Sequence, residues 1–137
     1  RRSVLIGCSV MLMAVSGIMG LYVDAMTLPA LYVLFFCLFL SGGAIGPVLA
    51  AVAKELFPIA ISGTAVGAIN LFPFAGGAIF QVLIGAVLTA RSPGQGQYTT
   101  VGFQHMFLIS LAGAVISLAA AVIMKETLHR EALVEPA

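Results

Sequence analysis

Four long runs without a formal charge leave this chain few ways to satisfy its backbone. Charges fall at Arg1, Arg2, Asp24, Lys54, Glu55, Arg91, Lys125, Glu126, Arg130, Glu131 and Glu135. Between them, residues 3–23, 25–53, 56–90 and 92–124 carry none. A helix needs about 20 residues, at about 1.5 Å each, to cross a bilayer's hydrocarbon core. Each run is long enough for one crossing. The fold class expected is therefore an all-α membrane protein of four transmembrane helices, at about 3–23, 29–53, 60–90 and 101–124, followed by a water-exposed tail over 125–137. Composition agrees: 61% of residues are hydrophobic and 8% are charged, where soluble domains carry about 25% charge.

The net charge of +1 conceals an asymmetry. Threaded in and out, the chain puts Arg1, Arg2, Lys54, Lys125 and Arg130 on one side, and Arg91 with Asp24 on the other. Cytoplasmic loops are enriched in Lys and Arg, so both termini and the Lys54 loop are expected to face the cytoplasm. The expected setting is a multi-pass protein of the cytoplasmic, or inner, membrane. The chain starts at Arg1 and runs straight into a span, which reads as part of something longer. The opening "RRSVLIGC" superficially suggests a signal, but a cleavable signal has its apolar region before the processing site, and here most of it follows Cys8. Cys8 and Cys37 lie in different spans at depths about 10 Å apart, which disfavours a disulfide.

Small residues mark where helices should meet. In the first span these are Ser9, Ser16, Gly17 and Gly20; in the fourth, Gly113, Ser117 and Ala121 form a ladder. Without water to drive helices together, small side chains allow the close backbone approach that gives van der Waals contact. "DAMTLP" at 24–29 and "RSPGQGQYTT" at 91–100 read as polar turns on one side, with Tyr98 and Phe103 placed as interfacial aromatics.

The middle spans are interrupted. "SGGAIGP" places Ser41, Gly42, Gly43, Gly46 and Pro47 near the middle of the second, and "NLFPFAGG" places Pro73 and Gly77 near the middle of the third. A helical proline removes one amide donor and frees a carbonyl, so a bend or loosening is expected at Pro47 and Pro73. At 100° per residue, Gly63, Asn70, Phe74, Gly77 and Gln81 fall within about 40° of one line. Asn70 and Gln81 thus share a direction in an apolar cylinder. Between these spans, "AKELFPIAISGTAVG" sets Lys54, Glu55, Gly63 and Gly67 in a hairpin on the basic side.

The order of these segments resembles the last third of a major facilitator superfamily transporter, helices nine to twelve. "GGAIGPVLAAVAKELFPIAISGTAVG" is similar to the family's helix ten and following cytoplasmic loop, "NLFPFAGGAIFQVLIGAVL" to helix eleven, and "KET" at 125–127 to the exit from helix twelve. The resemblance covers essentially the whole chain. It implies two six-helix bundles around a central pathway and secondary active transport of a small solute by alternating access, in some members with a coupling proton or ion. The implied partners are the lipid bilayer, the remaining helices of the same permease and the solute. Ser62 stands where members often carry Arg, so a charge relay through such an Arg does not carry over.

On this reading Asn70, Phe74, Gln81 and Ser41 are candidates for the substrate pathway. Gly42, Gly43, Gly46, Pro47, Pro73 and Gly77 are candidates for kinking or gating, and Lys54, Glu55, Gly63 and Gly67 for a cytoplasmic gate loop. Asn70 and Gln81 each offer a donor and an acceptor to a polar solute, the competing reading being an interhelical hydrogen bond. Near the outer end of the fourth span, Gln104 and His105 read as solvated groups, with a pH-sensing His as the sharper alternative. No residue pattern suggests a catalytic centre, metal cluster, cofactor or nucleic-acid patch, so no enzymatic activity is expected. The alternative is a self-contained four-helix protein that homo-oligomerises as a pore or scaffold through its glycine faces.

Overall fold

The computed structural model of the protein describes residues 1–92, 94 and 97–124. The tail expected at 125–137, with its "KET" and its basic residues, lies outside the described residues.

Four helices account for nearly all of the described chain: α1 (Arg2–Tyr22), α2 (Leu28–Leu56), α3 (Ile59–Ala90) and α4 (Thr100–Ile123). Each is long and apolar enough to cross a membrane. A helix suits such a setting because every interior backbone group finds its partner within the segment. A short 3-10 turn, Val23–Ala25, carries Asp24 between α1 and α2. Pro29 lies in the first turn of α2, where its missing amide donor has no intrahelical partner to lose.

The turns are local. Phe57 ends α2 in an extended conformation, its amide donating to the Ala53 carbonyl, and Pro58 leads directly into α3. Between α3 and α4, the Thr99 hydroxyl accepts from the Gly102 amide at 3.1 Å and lies 2.9 Å from the Arg91 carbonyl, to which it donates. Thr99 therefore caps α4 and ties it to the end of α3.

The helices run antiparallel in sequence order, so Arg1, Glu55 and Met124 lie at one end and Tyr22, Arg91 and Thr99 at the other. The most extensive contact joins α1 to α4, the first helix to the last. Here the small residues of α1 act as expected. Ser9, Ser16 and Gly20 are buried, and the Ser9 and Ser117 hydroxyls meet at 3.1 Å. A Cβ on Gly20 would lie 3.1 Å from Leu108 Cδ2 and 3.4 Å from the Leu108 backbone nitrogen, so α4 passes where only glycine fits without displacement.

The ladder expected on α4 divides between two neighbours. Ser117 faces α1, and Ala121 is buried, but Gly113 faces α3, where Phe80 Cζ lies 3.1 Å from the place of a Cβ. The buried centre consists of Val15, Met19 and Phe107. Phe35 of α2 meets Phe107 edge-on, with ring centroids 6.4 Å apart. Cys8 and Cys37 are free thiols, both half-buried.

α3 stands apart from this centre. It touches α2 and α4, yet none of its residues is buried. A soluble helix of this composition would be an anomaly; a transmembrane helix with one face on its neighbours and the rest toward lipid or further helices is not.

Candidate substrate pathway

The half-buried residues of α3, among them Ile69, Gly76, Phe80, Ile84 and Val87, define the face it turns to the rest of the chain. At 100° per residue, the line of Gly63, Asn70, Phe74, Gly77 and Gln81 is centred about 90° away from that face. All five are exposed, Phe74 at 78%. Neither Gly63 nor Gly77 has any atom of a neighbouring element within 4 Å of where a Cβ would stand, and the same holds for Gly67. The stripe of amides and glycines therefore flanks the contact with α2 and α4 and faces open space within this chain.

α2 shows the same division. Its Leu31, Leu34, Cys37, Leu38 and buried Ser41 lie toward the centre, whereas Gly42, Gly43, Gly46 and Pro47 are exposed. No atom of another element lies within 4 Å of a Cβ built on any of those three glycines. Counted from the Phe57–Pro58 turn at about 1.5 Å per residue, Gly46 and Asn70 lie within about 2 Å of the same depth. The glycine face of α2 is thus level with the Asn70 end of the stripe, and Gln81 lies about 16 Å further along α3.

Both prolines are accommodated without a break. α2 is continuous through Pro47 and α3 through Pro73. The loosening expected from the missing amide donors does not interrupt either helix. One absent hydrogen bond leaves the flanking turns to maintain the backbone path.

Ser41 is placed differently from the other pathway candidates. It is fully buried, and its hydroxyl donates to the Cys37 carbonyl at 2.6 Å, one turn back along α2. That bond satisfies the hydroxyl inside the helix. The structure thus has the two amides and Phe74 on one exposed line of α3 and Ser41 buried within the packed face of α2.

At the other end of the hairpin, Glu55 forms an ion pair with Arg1, the two side chains 20% and 29% exposed. Lys54 beside it is exposed. The Arg2 guanidinium donates to the Val122 carbonyl at 2.7 Å, one of the carbonyls that the last turn of α4 leaves without an amide partner. Two consecutive arginines thus hold the start of α1 to the ends of α2 and α4. Their charge indicated only a basic loop; the partners are distant in sequence, and no local spacing signals them.

At the opposite end, His105 is half-buried, with Nδ1 2.7 Å from the Val101 carbonyl. The expected solvated position holds only in part, since one ring nitrogen is engaged by its own helix. Tyr98 and Phe103 meet edge-on, with centroids 6.3 Å apart, consistent with paired aromatics at an interface. Among the described residues no group of His, Cys, Asp and Glu could hold a metal ion. No protein-family model, curated protein or solved structure matches this chain.

Proposed function

We propose that the chain is the part of a larger major-facilitator-like permease that supplies one wall of a solute pathway, moving a small solute across the inner membrane by alternating access. The observation that carries this reading is the exposed line of Asn70, Phe74, Gly77 and Gln81 on α3, its Asn70 end level with the open glycine face of α2. An amide left without a partner in hydrocarbon costs several kcal/mol on the transfer scale that fits a lipid tail, about 4 to 8 kcal/mol. Water, solute or protein must therefore lie against α3, and a hydrated pathway between helix bundles supplies the first two. Glycines on both walls let backbone approach whatever passes between them.

In this arrangement Asn70 and Gln81 exchange hydrogen bonds with the solute as it sheds water, and Phe74 lies between them as an apolar surface. The tight α1–α4 pair is the rigid support, and Arg1 with Glu55 closes the basic, cytoplasmic end. A coupling proton or ion would be held by helices beyond this chain, because none of its four spans has a charge near mid-membrane.

The test uses the full protein in proteoliposomes or cells. Asn70→Ala and Gln81→Ala should each weaken solute uptake while insertion into the membrane stays normal. Unchanged kinetics in both variants removes the amides from the pathway. The rival reading, a four-helix homo-oligomer, uses the same open face for self-association. It predicts efficient disulfide crosslinking between copies carrying Gly77→Cys, whereas a pathway wall predicts solute-protectable labelling at that position and no crosslink.

A further inference from the structure

A second feature lies outside the pathway line, on the side where α3 meets α4. Near the Arg91 end the two helices separate around a groove of about 460 Å³, within the size range of small-molecule sites. Its walls are Val87 and Ala90 of α3 and Leu108, Ile109 and Ala112 of α4. Arg91 and His105 stand at its rim. From His105 down to Ala112 the groove runs about 10 Å at 1.5 Å per residue, most of one leaflet's share of a hydrocarbon core about 30 Å thick.

The rim is cationic. Among the described residues no carboxylate pairs with Arg91. Its backbone is held in place by the Thr99 hydroxyl on its carbonyl, and its Cβ lies 3.6 Å from where a Gly102 Cβ would stand, so α4 begins against the Arg91 stem. His105 adds a second polar group of fixed orientation. Its Nδ1 lies 2.7 Å from the Val101 carbonyl. A carbonyl only accepts, so Nδ1 carries the proton and Nε2 is left for another partner.

An apolar slot of leaflet depth, opening at a guanidinium and a ring nitrogen, has the polarity of an amphiphile with a negative head. We infer that this groove binds a phospholipid with an anionic headgroup, its phosphate on Arg91, a headgroup hydroxyl donating to His105 Nε2, and one acyl chain lying along Val87, Ile109 and Ala112. The occupant is selected by charge complementarity at the rim. The planar guanidinium matches a phosphate with two parallel hydrogen bonds. A solute-like anion without a tail would leave the five apolar wall residues uncovered. The inference needs only that the four helices span a bilayer, and stands independently of transport.

The test exploits the absence of tryptophan from the chain. In the full protein, any native tryptophans elsewhere replaced, Ile109→Trp puts a reporter in the groove, and bilayers contain brominated phosphatidylglycerol or brominated phosphatidylcholine in an unbrominated background. Phosphatidylglycerol should quench at a mole fraction about tenfold below that needed for phosphatidylcholine, whose choline sets a second cation against Arg91. Arg91→Gln should abolish that preference and Arg91→Lys should retain part of it, which separates a lost charge from a lost fold. Added inorganic phosphate should leave the quenching unchanged. Equal quenching by the two lipids, an unaltered preference in Arg91→Gln, or displacement by inorganic phosphate overturns the assignment. Protection from both lipids overturns it too, by showing that another helix fills the groove.

Discussion

The hydroxyls of Ser9 and Ser117 meet 3.1 Å apart across the α1–α4 contact, on residues separated by almost the whole described chain. In hydrocarbon neither hydroxyl has water as an alternative partner, yet such interhelical bonds average only about 0.6 kcal/mol because unfolded states in the bilayer also find partners. Ser9→Ala and Ser117→Ala should therefore each destabilise the folded protein slightly. A double-mutant cycle, read by unfolding in mixed micelles, should give a coupling of about 0.6 kcal/mol and no more than about 2 kcal/mol. Zero coupling would mean that the two hydroxyls do not bond in the bilayer.

Gly20 and Gly43 provide a matched contrast. Gly20 faces Leu108, including its backbone nitrogen, whereas Gly43 has open space around it in this chain. Gly20→Leu should force α1 and α4 apart and lower the thermal midpoint, with a cost of about 1 to 3 kcal/mol from overpacking. Gly43→Leu should leave the four-helix unit intact. If the face of α2 lines a pathway, Gly43→Leu should still reduce solute uptake by the full protein. Equal thermal shifts for the two variants would contradict the arrangement described.

The Arg1–Glu55 pair is partly exposed at the bundle's end. It should contribute at most about 1 kcal/mol and weaken as salt rises. Arg1→Glu should perturb the junction of α1 and α2, and combining it with Glu55→Arg should restore it. Recovery measured as protease resistance of the Phe57–Pro58 turn checks this. A double variant no better than Arg1→Glu alone would show that the charges do not interact.

Positions 54 and 94 should lie on opposite sides of the membrane. In a variant with Cys8 and Cys37 replaced, a cysteine at 54 should react with an impermeant maleimide from the cytoplasm and one at 94 from outside. The opposite pattern reverses the orientation and leaves the fold untouched. Reactivity of both from one side removes the four-span topology.

Span positions were legible because they depend on local chemistry. The run of 25–53 became α2 (Leu28–Leu56), and 56–90 became α3 (Ile59–Ala90), each ending within a few residues of the nearest charge or Pro. The small-residue face of α1 was legible too, since close approach needs Ser or Gly wherever a partner comes. The line of Asn70 and Gln81 followed from helical periodicity and is found as one exposed stripe. The identity of each partner was not legible. Gly113 faces Phe80 while Ser117, one turn on, faces Ser9. Ser41, grouped by sequence with the glycines beside it, turns inward onto the Cys37 carbonyl.

By itself, then, the amino-acid order determined the four helices of the described residues, where they turn and which stripes of them are small or polar, because each of these follows from bonds and side chains within a few residues. Only the tertiary arrangement decided that α1 takes α4 as its main neighbour, that two arginines bind the ends of other helices, and that α3 keeps its amides open. The physical reason is the solvent: hydrocarbon rewards no apolar face over another, so partners are chosen by shape fit between surfaces far apart in the chain.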